Sequence, residues 1–193
     1  MKRHKSITVM VPAYNEENNL ARAINRYDKA VKAVFNDYEF IIFNDCSLDR
    51  TGKIADELTK KNKKIRSIHN NQNMGIGYNY RAGIELSQKE YYMMLTGEGE
   101  ILSSSIKEIL SHSGEADILI SYIGNPKVRP PYRTIISRGF TILLNMLFGL
   151  HIKYYNGNVI HKTELLKKVK MNTNNAAYQA EVLIKMLKKG YSY

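Results

Sequence analysis

The stretch Val9-Met-Val-Pro-Ala-Tyr-Asn-Glu16 decides the fold: a short apolar run, stopped by proline, opens onto a polar turn. Ile7–Pro12 predicts a buried strand, being too short for a helix and ended by a residue that cannot donate to a ladder. Outward from it, Asn18–Val34 sets Leu20, Ala23, Ile24, Tyr27, Val31 and Val34 on one helical stripe. Tyr38–Asn44 reads as a second buried strand. A helix capped by Ser47 or Asp49 then runs through Ile54 and Leu58, and Ile65–His69 is a third strand. A loop at Asn70–Gly77, a helix over about Tyr78–Ser87 and a strand at Tyr91–Leu95 continue the alternation. After the loop Thr96–Glu100 come a helix at Ser103–Ser113 and a strand at Ala116–Tyr122. This rhythm predicts an α/β fold, a mostly parallel sheet flanked by helices.

In open sheets of this kind, ligands collect beyond the carboxyl ends of the strands. That rule nominates Ala13–Glu16, Asn44–Asp49, Asn70–Gly77 and Thr96–Glu100. Any one of them is explained by turn chemistry: Asn15–Glu17 as a helix start, Asp45 and Asp49 as a capped turn, Glu98 and Glu100 as an exposed acidic loop. All four at strand ends point instead to one shared pocket.

The 193 residues suit one domain, and the single Cys46 rules out an internal disulfide and fits a reducing compartment. No signal peptide and no uninterrupted apolar run long enough to span a bilayer is visible. The net charge of +11 is unevenly spread. Residues 1–126 hold 17 Lys and Arg against 16 Asp and Glu, whereas residues 127–193 hold 12 against 2. A near-neutral part, 1–126, thus precedes a basic part, 127–193, that faces an anionic partner or is simply coated with lysine. Within it, Arg129-Pro-Pro-Tyr-Arg133 is an extended basic linker. Thr134–Leu150 is an apolar helical segment, either a core helix or one lying at a membrane interface. Gly190-Tyr-Ser-Tyr193 reads as the start of another strand, as in a chain cut within a longer protein.

Several chemistries are excluded. Gly75-Ile-Gly77 is followed by Tyr80 where a dinucleotide fingerprint needs glycine, and no Walker A sequence occurs. The five histidines show no ligand spacing for zinc, and no Gly-x-Ser-x-Gly elbow is present. No finger or RNA-recognition signature accompanies the positive charge, so specific nucleic-acid binding is not expected.

Val9–Glu16, Phe43–Asp49 and Asn73–Gly75, in this order and spacing, resemble the nucleotide-binding half of family 2 glycosyltransferases with the GT-A, Rossmann-like fold. Among these the chain is most similar to polyprenyl-phosphate sugar transferases of the dolichol-phosphate mannose synthase kind. The resemblance implies an inverting hexosyltransferase. Pro12, Ala13, Tyr14, Glu16, Asp45, Asn73 and Gly75 would border the nucleotide, with Asp45 on its base or ribose. It also implies a divalent cation, Mg²⁺ or Mn²⁺, on a carboxylate pair. That pair is Glu98 and Glu100 here, where the family commonly has aspartates. Glu98 is also a catalytic candidate through that cation. Arg129, Arg133, Ser137 and Arg138 fall in the stretch that relatives place near the acceptor phosphate. Glu181, in Tyr178-Gln-Ala-Glu181, matches a Gln-x-Glu element and is the candidate for acceptor orientation or general base, or an ordinary helix glutamate. Tyr154-Tyr-Asn-Gly-Asn158 matches a segment near the sugar but lacks its usual aspartate.

The partners so implied are a nucleoside-diphosphate sugar, a lipid phosphate and a membrane surface, with oligomerisation left open. The expected location is cytoplasmic, peripheral at the inner face of the cell membrane, in cell-envelope polysaccharide synthesis. Two alternatives stand beside this: transfer to a glycan hydroxyl, and a degenerate domain that binds nucleotide or membrane without turnover.

Overall fold

The structure, a computed structural model, describes residues 5–122, 124 and 131–193. A six-stranded sheet forms its centre, built from β1 (Ser6–Ala13), β2 (Asp37–Asn44), β3 (Ile65–His69), β4 (Tyr91–Met94), β5 (Ile118–Ile120) and β6 (Val159–Lys162). Their order across the sheet is β3-β2-β1-β4-β6-β5. The first four strands run parallel, while β6 is inserted antiparallel between β4 and β5.

Helices cover both faces. On one side α1 (Leu20–Lys32), α2 (Thr51–Lys61) and α4 (Ser103–Ser111) pack their apolar stripes on Ile7, Val9, Val11, Phe40 and Ile42. On the other, α3 (Ile76–Leu86), the short α6 (Thr163–Leu166) and α7 (Tyr178–Lys188) close over Met10, Ile41, Phe43 and Tyr92. With both faces covered, β1 and β2 read as continuous apolar runs rather than alternating ones.

The strand and helix predictions through Ser113 hold, with α3 beginning two residues earlier than expected, at Ile76. Three features differ. The strand expected at Ala116–Tyr122 contracts to Ile118–Ile120. Strand β6, whose four residues enclose a buried histidine, carries no alternation by which to recognise it. Finally, Gly190–Tyr193 is not a strand, although Ser192 pairs its carbonyl with the Ile118 amide beside β5.

The basic apolar segment is a helix, α5 (Pro131–Phe148), opened by a proline at its first position, where no amide is needed. It is not a core helix. Ile135, Ile136, Ile142, Leu143, Met146 and Leu147 are all more than half exposed, and Met146 reaches 77%. Among the described residues, no helix is long and apolar enough to cross a membrane.

Candidate nucleotide and acceptor sites

The carboxyl ends of β1, β2 and β4 and the amino end of α3 surround a cavity of about 310 Å³. Its walls are Pro12, Ala13, Tyr14, Glu16, Asp45, Asn73, Gly75, Ile76, Asn79, Thr96, Gly97 and Glu98. All seven positions nominated for the nucleotide are here, together with Glu98.

Each wall is fixed by a specific bond. After β1 the chain turns at Asn15 with φ of 56°, a left-handed conformation asparagine tolerates. The turn is pinned to the loop after β2: Glu16 N–H donates to Thr51 Oγ1 at 2.6 Å and Glu17 N–H to Asp49 Oδ2 at 3.1 Å. The loop after β4 is held from behind by α1, through Tyr27 O–H on the Thr96 carbonyl and Arg26 on that of Gly99.

Asp45 is 5% exposed and accepts three bonds: Asn70 Nδ2 at 2.6 Å, Met74 N–H at 2.9 Å and Gly75 N–H at 2.9 Å. Its carboxylate therefore shapes the 73–75 loop, with little acceptor capacity left for a ligand. Asn70 Nδ2 also bonds Asn79 Oδ1, which leaves Asn79 Nδ2 buried at the cavity wall without a partner among the described residues. An orphaned donor in such a wall fits a ligand rich in acceptor oxygens. Sequence reasoning missed Asn79, because one asparagine inside a helix carries no motif.

The acidic loop divides. Glu98 lines this cavity, whereas Glu100 lines a separate one of about 760 Å³ between α4, β5 and the 154–158 loop. Partial burial, then the charges of Glu100 and Glu16, push the Glu98 carboxyl above the usual glutamate range. Among the described residues no three His, Cys, Asp or Glu side chains converge on one point. The expected Glu98–Glu100 pair is therefore not a closed metal cage. Its donors fit a hard cation that draws further oxygens from a diphosphate.

On the acceptor side, Arg133 and Ser137 lie one helical turn apart on α5. They line a pocket of about 380 Å³ with Ile136, Phe140, Asn156, Ala176 and Ala177. Arg138 is exposed and falls off that face, and Arg129 lies outside the described residues.

Glu181 lines none of these cavities. Its oxygens accept the amides of Asn172 and Thr173, both at 2.9 Å, and an ion pair from Lys185 at 2.5 Å. Burial works to raise its pKa. Hydrogen bonds from Lys185, the Thr173 side chain and the two amides outweigh it and hold the carboxyl at about 2. Such a carboxylate is a poor proton acceptor near neutrality, which disfavours the base among the two roles expected of Glu181, acceptor orientation or general base.

A scan of protein-family models matches residues 8–169 to "Glycosyl transferase family 2". The chain belongs to this family. Among relatives of this family 2 chain, dolichyl-phosphate beta-glucosyltransferase ALG5A of Trichomonas vaginalis is 28% identical over 158 residues, covering 75% of this chain and 49% of that protein. The dolichol-phosphate mannosyltransferase of Pyrococcus furiosus is 26% identical over 191 residues, covering 93% of this chain and 52% of that protein. The chain thus spans about half the length of these relatives. Glucosyl-3-phosphoglycerate synthase from Mycobacterium tuberculosis, solved with Mn²⁺, UDP and phosphoglyceric acid, superposes with a TM-score of 0.71 at 16% identity. That match covers 96% of this chain and 65% of that one, and confirms the GT-A fold.

Proposed function

We propose that this family 2 domain transfers a sugar from a nucleoside diphosphate to a lipid-linked phosphate at a membrane surface. The observation that carries it is the convergence of Glu16, Asp45, Asn79 and Glu98 on one cavity, together with a helix that exposes an apolar face and an arginine.

The donor diphosphate lies at the amino end of α3, where the helix dipole favours an anion. Asn79 Nδ2 donates to it, and Tyr14, 47% exposed, covers the nucleotide from the open side. Glu98 would hold Mg²⁺ or Mn²⁺ together with diphosphate oxygens, as the Mn²⁺ in the M. tuberculosis synthase suggests, with the charge of Glu100 nearby but in a separate cavity. When bound, the cation neutralises charge on the departing nucleoside diphosphate. Glu98 thereby serves catalysis through the charge it supplies, without taking up a proton.

Arg133 grips the acceptor phosphate, and Ser137 donates a second hydrogen bond. A phosphate monoester is already mostly ionised near neutral pH, with a second pKa of about 6, and needs no proton removed. Among the described residues the pocket around Arg133 is lined by no carboxylate, and Glu181 is unsuited to be a base. Both facts favour the phosphate over a glycan hydroxyl. Helix α5 sits on the lipid surface by its exposed isoleucines, leucines and Met146, with Arg133 and Arg138 toward anionic headgroups. Association is then peripheral, on the cytoplasmic face.

The test is incubation with Mn²⁺, a panel of labelled nucleotide sugars and short-chain polyprenyl phosphate. Formation of a lipid-linked sugar is expected. Transfer only to oligosaccharide hydroxyls would move the assignment to the glycan reading. Tight nucleotide binding without transfer to either acceptor would favour the degenerate domain.

A further inference from the structure

The first turn of α7 holds two loops that are distant in sequence. Gln179 Nε2 donates to the carbonyls of Tyr155 and Gly157, at 2.8 and 2.5 Å. Two residues on, Glu181 receives the amides of Asn172 and Thr173. Lys185, bonded to Glu181, also caps the Lys170 carbonyl at 2.8 Å. Residues 170–174 are therefore drawn down as a strap.

That strap lies on Gly75, which lines the nucleotide cavity, and on Gly77 just behind it in α3. The Gly77 amide donates to the Asn174 carbonyl at 2.9 Å. A Cβ on Gly77 would come within 2.6 Å of the Thr173 oxygen and the Asn174 carbon, backbone atoms that cannot swing aside. At Gly75, φ of 84° is one that glycine adopts without strain, and a Cβ would meet the Asn174 oxygen at 2.9 Å. The opposite side of the same loop is held by Asp45 through the Met74 and Gly75 amides. The glycine loop is clamped between an Asp45 carboxylate and a strap that Glu181 secures.

Resting on the nucleotide-pocket assignment above, we infer that Glu181 is a positioning residue for the donor site: it braces the 170–174 strap, which sets the Gly75–Gly77 loop against the nucleotide. Gln179 holds the 155–157 loop, whose Asn156 lines the Arg133 pocket, so one helical turn registers donor and acceptor sides together. A glutamine at 181 has one acceptor oxygen for two amide donors and turns its own amide toward one of them. It loosens the strap without changing side-chain size.

The experiment compares wild type, Glu181→Gln, Gly77→Ala and the double variant. Hydrogen exchange is followed in the ligand-free proteins, and UDP, GDP and nucleotide-sugar titrations with Mn²⁺ follow. In Glu181→Gln, the amides of Asn172, Thr173, Gly75 and Gly77 should lose protection together while those of β1 and β2 keep it. KM for the donor should rise about tenfold with kcat within about twofold, where loss of a general base would cut kcat by about 100-fold or more. Gly77→Ala should show the same pattern, and the double variant should be no worse than the poorer single, since both changes act through one contact. Unchanged protection at Gly75 and Gly77 in Glu181→Gln, or a fall in kcat at constant KM, overturns the inference. If wild type binds no nucleotide, the donor-site assignment falls. The exchange data then still decide whether Glu181 braces the glycine loop.

Discussion

Asp45 and Gly75 are joined across 30 residues by a bond of 2.9 Å from the glycine amide to the carboxylate Oδ2. This contact ties the end of β2 to the start of α3, both of which line the candidate nucleotide cavity. The carboxylate is buried and meets three donors, so its removal leaves amides unsatisfied as well as a wall unsupported. Asp45→Asn offers an N–H where an acceptor is needed. It should lower stability by about 1–3 kcal/mol and raise the dissociation constant for the nucleoside diphosphate about tenfold or more. Thermal denaturation and calorimetry check the two halves of this expectation.

In the proposed site, Glu98 sets the pH dependence of metal binding. Its carboxyl is pushed above the usual range by partial burial and by Glu100 and Glu16. A group raised in this way takes up its proton early as pH falls, and the protonated form gives up the cation. Mn²⁺-dependent nucleotide binding should therefore fade at a higher pH than an ordinary glutamate dictates. Glu100→Gln, by removing one repelling charge, should move that loss to lower pH. A titration at fixed nucleotide in both proteins reads the shift.

His161 makes the fold acid-sensitive. It is fully buried on β6, and neither ring nitrogen has a partner among the described residues. Burial lowers its pKa from 6.5 to about 3. The unfolded chain therefore binds the proton before the folded one does. The neutral histidine carries no penalty above about 6.5, and stability falls by about 1 kcal/mol per pH unit as pH drops from there toward 3. His161→Leu removes both the titration and two unsatisfied nitrogens. Its melting temperature should exceed that of wild type more at pH 5 than at pH 8.

Helix α5 lets the proposed membrane docking be tested apart from core packing. Ile135 and Met146 are 70% and 77% exposed, so replacing both with asparagine should change folding stability by no more than about 1 kcal/mol. Burying each such side chain in lipid contributes about 1.5–3 kcal/mol, and the double variant removes two. Co-sedimentation with anionic vesicles should accordingly drop at least tenfold in the double variant. Wild-type binding should also weaken as salt is raised.

How much of this was legible beforehand follows from range. Ile7–Pro12 and Tyr38–Asn44 are parallel strands buried on both faces, so each announces itself as an apolar run ending in a polar turn, whereas Ile65–His69, at the edge of the sheet, is only partly buried. The convergence of Asp45 and Glu98 was open to inference because a parallel sheet puts its strand ends on one edge. Strand β6 was not legible: it crosses antiparallel in four residues and gains its place only by packing between β4 and β5. Nor was the task of Glu181, whose partners at 172 and 173 lie in a loop without pattern. Glu98 and Glu100, two residues apart, read as one ligand pair, yet the turn between them sends them to different cavities.

Calorimetric titration of UDP and GDP into the protein, with and without Mn²⁺, and repeated on Glu98→Gln, addresses the donor pocket most directly. One nucleoside diphosphate should bind at least tenfold more tightly with Mn²⁺ than without it, and Glu98→Gln should abolish that gain. Failure of both nucleotides to bind, or binding that is indifferent to Mn²⁺ and to Glu98, would contradict the shared sugar-diphosphate and cation site.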